Sequence, residues 1–228
     1  MTEQKYYAVA VDGPSSAGKS TLSRAAAARL GFIYVDTGAI YRTVGLAAQR
    51  AGVGSKDEAG VVALLPRIQI DIRYDESGTQ SMYLDGENVS SEIRTPLSSI
   101  YASDVSAMPP VRAFLLEMQR DMARRHSVMM DGRDIGTVVL PDAQVKIFLT
   151  ASAEERARRR WKELLEKGTE CTYEEVLRDM EYRDRQDSSR AAAPLKAAAD
   201  AVVLDTTGLS FDESLEEIIR IIKEKLEL

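Results

Sequence analysis

Short continuous apolar runs alternate with longer amphipathic segments along most of the chain. The runs cover residues 6–11, 32–35, 127–130, 145–149 and 201–204. Apolar residues at helical spacing, or capping signals, predict helices at residues 21–30, 39–51, 98–125, 153–166, 173–190 and from Ser210 onwards. Pro109-Pro110 is expected to break the third of these and to start a new helix, and Ser210 with Glu213 matches a capping box. Short apolar strands separated by helices are typical of a parallel sheet that is buried on both faces. The pattern therefore predicts an α/β fold.

Residues 64–91 interrupt this alternation with a period of two. Ile68, Ile70 and Ile72 alternate with polar residues, and a turn sequence at residues 75–78 separates them from a second apolar run at residues 82–84. Alternation of this kind between turn residues predicts antiparallel strands. We interpret the stretch as a small inserted β-rich unit; the alternative is a surface hairpin without a role in binding.

The stretch Gly-Pro-Ser-Ser-Ala-Gly-Lys-Ser at residues 13–20 lies between a predicted strand and a predicted helix. In that setting the backbone N–H groups of the loop and the helix dipole face an anion. The glycines let the backbone approach phosphates, Lys19 can reach the β- and γ-phosphates, and the Ser20 hydroxyl can coordinate Mg²⁺. The alternative is a turn with a surface lysine, but the complete pattern favours a nucleoside-triphosphate site.

Further polar residues are predicted to lie near this loop. Asp36 and Thr37 follow the second apolar run, and an open parallel sheet binds its ligands at the carboxyl ends of its strands. Arg42 lies in the helical segment that comes next. It can contact an anion in the cleft or lie on the surface, and its position alone does not decide between the two.

Two consecutive predicted helices at residues 153–190 are rich in arginine. Those of the first helix include Arg156, Arg158, Arg159 and Arg160. In the second, Arg183, Asp187 and Arg190 are spaced by four and three residues and share one face. Because guanidinium pairs bidentately with phosphate and keeps its charge, this pattern predicts a mobile lid that covers phosphates and excludes water. The alternative is a pair of solvated helices stabilised by ion pairs.

Composition and charge argue against several other functions. Acidic residues outnumber basic ones by 36 to 30, and a net charge of −6 argues against a nonspecific nucleic-acid binder. One histidine and one cysteine are too few for a zinc site, and a single cysteine allows no intramolecular disulfide, which fits a reducing cytoplasm. Residues 1–5 are polar and no apolar run has membrane-spanning length, so we expect neither a signal peptide nor a membrane partner.

Two other classes of nucleotide-dependent protein are alternatives. A GTPase switch usually carries an Asn-Lys-x-Asp motif that reads guanine, and this sequence contains none. A switch also has no role for the arginine-rich helices. A kinase of an unphosphorylated metabolite needs fewer arginines around its acceptor than this chain offers.

Several motifs together resemble bacterial cytidylate kinases: residues 13–20, 36–42, 92–94, 131–139 and 183–195. The resemblance extends over nearly the whole chain. It implies the three-layer α/β fold of P-loop kinases, with a five-stranded parallel sheet and two mobile parts. Their implied limits are a CORE of residues 1–63 and 104–228, a β-rich insert of residues 64–103 that binds the nucleoside monophosphate, and a helical LID at about residues 152–190. The implied reaction transfers the γ-phosphate of ATP, with Mg²⁺ as cofactor, to CMP or dCMP in pyrimidine nucleotide metabolism.

The predicted site combines the loop with residues that the resemblance identifies. We predict that ATP is bound by Gly13, Pro14, Ser15, Ser16, Ala17, Gly18, Lys19, Ser20, Thr21 and Arg159. We predict that CMP is bound by Ser15, Thr37, Tyr41, Arg42, Ser103, Arg112, Asp131, Arg133, Asp134, Arg183, Asp187 and Arg190.

The resemblance also implies roles within this set. It implies that Ser103, Arg112 and Asp134 read the cytosine, and that Arg183 and Asp187 hold the sugar. It further implies that Arg42, Arg133 and Arg190 contact phosphate and, with Lys19, are the catalytic residues. We expect a cytoplasmic monomer whose partners are ATP and CMP or dCMP, with no nucleic acid and no membrane.

Overall fold

The computed structural model describes residues 6–76, 78–166 and 168–228. Within these residues the strands are β1 (Ala8–Asp12), β2 (Ile33–Asp36), β3 (Ile70–Tyr74), β4 (Gln80–Leu84), β5 (Glu87–Asn88), β6 (Val128–Gly132), β7 (Val145–Thr150) and β8 (Val202–Asp205). Five of them form a parallel sheet in the order β2-β6-β1-β7-β8, and β3-β4-β5 form an antiparallel sheet. Each predicted apolar run overlaps one strand of the parallel sheet, which confirms the predicted fold class. The polar segment at residues 1–5 lies outside the described residues.

The same residues form eight α-helices: α1 (Lys19–Leu30), α2 (Thr37–Arg50), α3 (Glu58–Leu64), α4 (Pro96–Ser106), α5 (Pro109–Arg125), α6 (Ala153–Glu166), α7 (Tyr173–Ser189) and α8 (Phe211–Leu226). Short 3₁₀ turns cover Leu65–Arg67 and Glu92–Arg94, and a π-helical turn covers Ile135–Val139. The periodic pattern did not predict α3. In the described part of the chain, no helix has both the length and the apolar character that crossing a bilayer requires.

Apolar side chains cover both faces of the parallel sheet. Val9 and Val11 of β1 belong to a buried cluster with residues of α1 and α8, including Ile218. Ala10 lies between them in sequence and belongs to a second cluster with residues of α2 and α5, including Leu115. Successive strand residues point to opposite faces, so the continuous apolar run of β1 is needed to fill both layers.

Some element boundaries differ from the predicted ones for local reasons. The second helix begins at Thr37, not at residue 39, because the Asp36 side chain accepts a hydrogen bond from the Ala39 N–H at 2.8 Å and caps it. The first helix begins at Lys19 rather than residue 21. The predicted break at Pro109-Pro110 is confirmed, since α5 begins at Pro109. These starts place Lys19 and Thr37 in first helical turns, where backbone N–H groups are unpaired.

The antiparallel sheet confirms the β-rich character predicted for residues 64–91. Its strand residues Ile70, Met82 and Leu84 are buried. Ser77 of the predicted turn lies outside the described residues. The sheet is not an isolated hairpin, because its Tyr74 hydroxyl donates to the Tyr34 carbonyl at 3.1 Å. The limits of the insert as a separate domain stay a prediction.

The two arginine-rich helices pack side by side. Helix α7 begins with a reciprocal capping box between Thr172 and Glu175 and ends at Ser189, one residue before the predicted end. The Trp161 indole N–H donates to the Cys171 carbonyl at 2.9 Å and ties the connecting segment to α6. The predicted capping box at Ser210 and Glu213 is confirmed at the start of α8.

Candidate active site

The loop between β1 and α1 has an unusual backbone. Gly13 has a φ of 153°, and a Cβ atom there would lie 2.0 Å from the Leu149 carbonyl oxygen of β7. Gly18 has a φ of 89° and Ser16 a φ of 59°. The structure gives a different reason for glycine at residue 13 than the predicted approach to phosphates, because close packing against the neighbouring strand leaves no room for a side chain.

The two polar residues at the start of α1 are held by the protein itself. The Lys19 ammonium donates to the Pro14 carbonyl at 2.7 Å. Burial, and then the charge of Arg133, lower the pKa of Lys19. The Ser20 hydroxyl donates to the Asp131 carboxylate at 2.8 Å, and the Tyr34 hydroxyl donates to its other oxygen at 2.9 Å. Burial raises the pKa of Asp131.

Ser20 and Asp131 offer oxygen atoms of the type that Mg²⁺ prefers. Among the described residues there is no group of three or more histidine, cysteine, aspartate or glutamate side chains that could hold a metal ion. Mg²⁺ commonly keeps waters and binds through one or two protein oxygens together with substrate phosphates. The neighbouring Ser20 and Asp131 side chains therefore fit a Mg²⁺ ion that arrives with a nucleotide.

A second group of charged residues lies at the start of α2. The Asp36 carboxylate, which caps the helix, also pairs with Arg42 at 3.0 Å and with Arg94 at 3.5 Å. The Thr37 hydroxyl donates to the Asp131 carbonyl at 2.7 Å. The Nε atom of Arg42 is buried without a hydrogen-bond partner. A buried donor that is left unpaired is uncommon and indicates a site for an acceptor from outside the chain.

A third group brings α4, α5 and the segment after β6 together. Arg112 forms a close ion pair with Asp134, and its guanidinium also donates to the Ser106 carbonyl at 3.1 Å. It lies 5.7 Å from the centre of the Tyr41 ring. Asp134 is buried. The cleft wall therefore presents a hydrogen-bond donor, the Arg112 guanidinium, next to a hydrogen-bond acceptor, the Asp134 carboxylate.

Helix α7 closes the site from the opposite side. The Arg133 Nε–H donates to Asp187 at 2.8 Å, and Arg190 lies 3.9 Å from both Asp187 and Asp134. Burial lowers the pKa of Arg190, and its Nη2 atom is buried without a hydrogen-bond partner. Arg183 also lines the cleft. The predicted shared face of Arg183, Asp187 and Arg190 therefore points to the cleft.

The arginines of α6 do not act alike. Arg158 is mostly exposed and pairs with Glu155, as the ion-pair alternative expects. Arg159 donates to the Thr206 carbonyl at 2.8 Å and lines the cleft. Arg156 is buried and links two segments, because its guanidinium donates to the Ser15 carbonyl at 3.1 Å and pairs with Asp184 of α7 at 2.7 Å.

All these groups surround one cleft of about 690 Å³. The predicted residues that line it are Ser15, Ser16, Gly18, Lys19, Ser20, Thr21, Thr37, Tyr41, Arg42, Ser103, Arg112, Asp131, Arg133, Asp134, Arg159, Arg183, Asp187 and Arg190. The other predicted residues, Gly13, Pro14 and Ala17, belong to the loop but do not line the cleft. A phosphate-binding loop at the carboxyl ends of a five-stranded parallel sheet, faced by arginines of several segments, defines a kinase of the P-loop class.

Comparisons with known proteins identify the family within this class. The family model described as Cytidylate kinase matches residues 9–224. The cytidylate kinase of Geobacter sp. (strain M21) is 51% identical over 218 residues, which cover 96% of this chain and 93% of the relative. That of Thermosipho melanesiensis is 48% identical over 220 residues, which cover 96% of this chain and 98% of the relative. The chain belongs to the cytidylate kinase family.

One solved structure supports the fold alone. The crystal structure of an uncharacterized protein from Eubacterium ventriosum aligns with a TM-score of 0.51 at 10% sequence identity. The alignment covers 95% of this chain and 98% of that chain. Likeness at this identity concerns the arrangement of strands and helices and carries no information about the ligand.

Sequence reasoning did not single out several residues that build the site. They are Asp12, Tyr34 and Asp184, which do not line the cleft but bond to Ile135, Asp131 and Ser15 respectively. Asp36 was expected near the loop, but its capping role was not predicted, although an aspartate just before a helical segment is a preferred cap. The partner of Asp184 lies on another helix, so no spacing along the chain could reveal it.

Proposed function

We propose that this cleft transfers the γ-phosphate of ATP to CMP or dCMP and so forms ADP and CDP or dCDP. The observation that carries the proposal is a pair of buried guanidinium N–H groups without hydrogen-bond partners, on Arg42 and Arg190, in a cleft that also contains a phosphate-binding loop. A donor and an acceptor that both carry phosphate would use these groups. A kinase of an unphosphorylated metabolite would leave them without partners, at a cost in stability.

The donor side of the cleft is the loop and the start of α1. Backbone N–H groups of residues 13 and 15–21 would hold the phosphates, and the Lys19 ammonium would move from the Pro14 carbonyl to the β- and γ-phosphates. Arg159 stands at the mouth beside Thr206 and would contact ATP. Ser20 and Asp131 would hold Mg²⁺. When bound with ATP, this ion neutralises charge on the transferred group.

The acceptor phosphate lies among arginines in this proposal. Arg42, Arg133 and Arg190 would contact it, together with Ser15. Asp36 and Asp187 hold two of these guanidinium groups by ion pairs at 3.0 and 2.8 Å. Groups that are already oriented need little rearrangement when charge moves from the donor to the acceptor, and such orientation is the main contribution that phosphoryl transfer asks of a protein.

The base of the acceptor would lie against the ion pair of Arg112 and Asp134. Cytosine presents an acceptor at N3 and a donor at its amine, whereas uracil presents a donor at N3 and an acceptor at O4. Arg112 toward N3 and O2, with Asp134 and Ser103 toward the amine, therefore favours cytosine. Thr37 and Tyr41 would complete this side of the cleft, and Arg183 and Asp187 would hold the sugar.

The wider organisation follows from the same proposal. Helices α6 and α7, at about residues 152–190, would act as a LID that excludes water from the transferred group. Residues 64–103 would form the insert that closes on the acceptor, and residues 1–63 and 104–228 the CORE. One chain supplies every side chain that the proposal uses, so we infer an active monomer. The single cysteine is consistent with a cytoplasmic enzyme.

The test is a coupled assay for ADP release with a panel of monophosphates. We expect CMP and dCMP to be good acceptors, UMP a poor one, and AMP and GMP too large for the pocket. Each mispaired buried group costs ~1–3 kcal/mol, so two of them give roughly 30-fold to 10⁴-fold discrimination against UMP in kcat/KM. Equal efficiency with UMP and CMP would contradict the proposal.

The variant Arg112→Met sharpens this test. Without the guanidinium, activity with CMP should fall far more than activity with UMP, so the ratio of the two kcat/KM values should narrow. Arg125→Met is the matched control, because Arg125 is exposed at the end of the same helix and pairs with Asp121 at 2.8 Å. Thermal protection by CMP in addition to that by ATP would separate this function from a kinase of an unphosphorylated metabolite.

A further inference from the structure

Asp12 is a buried carboxylate at the end of β1, directly before the phosphate-binding loop. It does not line the cleft. Its two oxygens accept hydrogen bonds from the backbone N–H groups of Ile135, at 2.7 Å, and Gly136, at 2.8 Å. Each oxygen thus binds one residue of a segment that is more than a hundred positions later in the chain. The proposed function gives no role to this carboxylate.

The two N–H groups that Asp12 binds begin the π-helical turn Ile135–Val139. The first N–H groups of a helical turn have no partner inside the turn, and the side chain of the preceding residue usually supplies one. That preceding residue is Asp134, which makes no such side-chain bond. Asp12, which lies at the end of β1, therefore caps the turn in place of Asp134.

Because Asp12 caps the turn, the Asp134 carboxylate is free to interact with groups in the cleft. Its oxygens pair with Arg112 and lie 3.9 Å from Arg190. Its backbone carbonyl accepts from the Val138 N–H at 2.9 Å. The Asp134 backbone is thus held by the turn that follows it, and Asp12 holds that turn from the other end. Asp134 is at the N-cap position, from which its own carboxylate could cap the turn if Asp12 were absent.

We propose that Asp12 is a positioning residue for base selectivity. It caps the turn at Ile135 and Gly136 and so keeps the Asp134 carboxylate directed to the base of the acceptor nucleotide. The inference rests on the proposed function, in which Asp134 accepts a hydrogen bond from the cytosine amine. Asp12 itself does not touch either nucleotide.

The variants Asp12→Asn and Asp12→Ala test this role through the ratio of kcat/KM for CMP to that for UMP. Alanine removes both acceptors, and we expect the ratio to fall about 10-fold or more, the equivalent of one well-aligned hydrogen bond. Asparagine keeps one acceptor oxygen but places its NH₂ group against the other N–H, so the ratio should fall by an intermediate amount. Damage to the neighbouring loop would lower activity with both acceptors equally and leave the ratio unchanged.

Ser214→Ala is the matched control. Ser214 is buried in α8, its hydroxyl donates to the Ser210 carbonyl at 2.8 Å, and it does not line the cleft. It should lose stability without a change in the ratio. If wild-type protein fails to discriminate CMP from UMP, the proposed function fails. If wild type discriminates and both Asp12 variants keep the wild-type ratio, the role of Asp12 is overturned while the proposed function stands.

Amide hydrogen exchange of the wild-type protein tests the same link if neither variant folds. Coupling between two sites is reciprocal, so a base that engages Asp134 should also steady the turn. CMP should slow exchange at the Ile135 and Gly136 amides more than UMP does at equal saturation, with the amides of α8 as the internal control. Exchange at these two amides that is equal with CMP and UMP would overturn the inference.

Discussion

At the scale of single residues, the partners of a charged side chain in this cleft determine its protonation and which ligand atoms it can bind. Lys19 is buried, and in the described structure its ammonium bonds to the carbonyl of Pro14 in its own loop. Burial lowers the pKa of Lys19 and so disfavours its ammonium form, whereas an anion that enters the cleft would favour that form. A phosphate supplies that anion, and the exchange of one carbonyl for a phosphate oxygen requires only a small movement of the side chain.

Lys19→Ala should therefore abolish useful turnover while the fold stays intact. Loss of a charge that stabilises developing negative charge lowers kcat by ~10²-fold or more. Steady-state kinetics with ATP and CMP measure the rate, and circular dichroism reports the fold. Lys223→Ala, which removes an exposed lysine of α8, is the control and should keep the wild-type rate. A near-native rate for Lys19→Ala would refute its assigned role.

At the scale of elements, helix α7 is bound to the rest of the site by carboxylates. Asp184 pairs with Arg156, which also holds the Ser15 carbonyl of the loop, and Asp187 pairs with Arg133. Helices α6 and α7 pack side by side, and these contacts join the pair to the loop and to the segment after β6. Because these contacts involve residues of the proposed phosphate sites, they could rearrange as ligands bind and leave, which suits the proposed role of a LID.

Arg190→Ala should lower kcat for transfer and raise ATP hydrolysis relative to transfer. Arg190 contributes to the cleft a buried N–H group without a hydrogen-bond partner, so its loss should weaken the binding of the acceptor phosphate more than it weakens ATP binding. The measurement compares ADP release with CDP formation, together with the KM for ATP. Arg185→Ala on the same helix is the control, because Arg185 is exposed and pairs with Glu181 at 3.9 Å. Unchanged kinetics of Arg190→Ala would contradict its role in binding the acceptor phosphate and would favour the alternative of helices stabilised by ion pairs.

At the scale of the whole molecule, the site depends on contacts between distant segments. Asp12 precedes the loop, yet it holds residues 135 and 136, and Arg112 of α5 meets Asp134. Burial raises the pKa of Asp12 to about 6; the N–H groups of Gly136 and Ile135 and the charge of Lys19 oppose this rise, and Asp134 adds to it. Burying the charged Asp12 carboxylate between β1 and the turn at residues 135–139 therefore lowers the stability of the fold.

This cost predicts a pH dependence of stability. Because the folded pKa of Asp12 lies above the ordinary value of 3.8, its protonated form favours folding. That contribution is complete below about pH 4 and is lost as the pH rises through about 6, with a total of about 3 kcal/mol for a shift of this size. The difference in unfolding free energy between wild type and Asp12→Asn should therefore move against wild type between pH 4 and 8. A difference that is independent of pH would contradict the assigned cause.

Much of this protein follows from patterns that are local in sequence. The five apolar runs, the period-two segment, the proline break before α5 and the capping box of α8 each depend on residues a few positions apart, so their positions and types could be predicted. The phosphate-binding pattern is also local, since eight consecutive residues supply the backbone N–H groups, the ammonium and the hydroxyl. The family resemblance then indicated the acceptor-side residues, and all of them line the cleft.

The tertiary structure alone determines the hydrogen bonds and ion pairs between residues that are far apart in the sequence. The spacing of Asp12 relative to Asp134, or of Arg156 relative to Asp184, carries no periodic signal, because the sheet order and helix packing bring these residues together. The glycine at residue 13 matters because the Leu149 carbonyl of a neighbouring strand lies where a Cβ atom would be. Local propensity therefore determines which elements form and which chemical groups they carry. The partners of those groups, and hence their charges and orientation in the cleft, are set by which elements pack against each other.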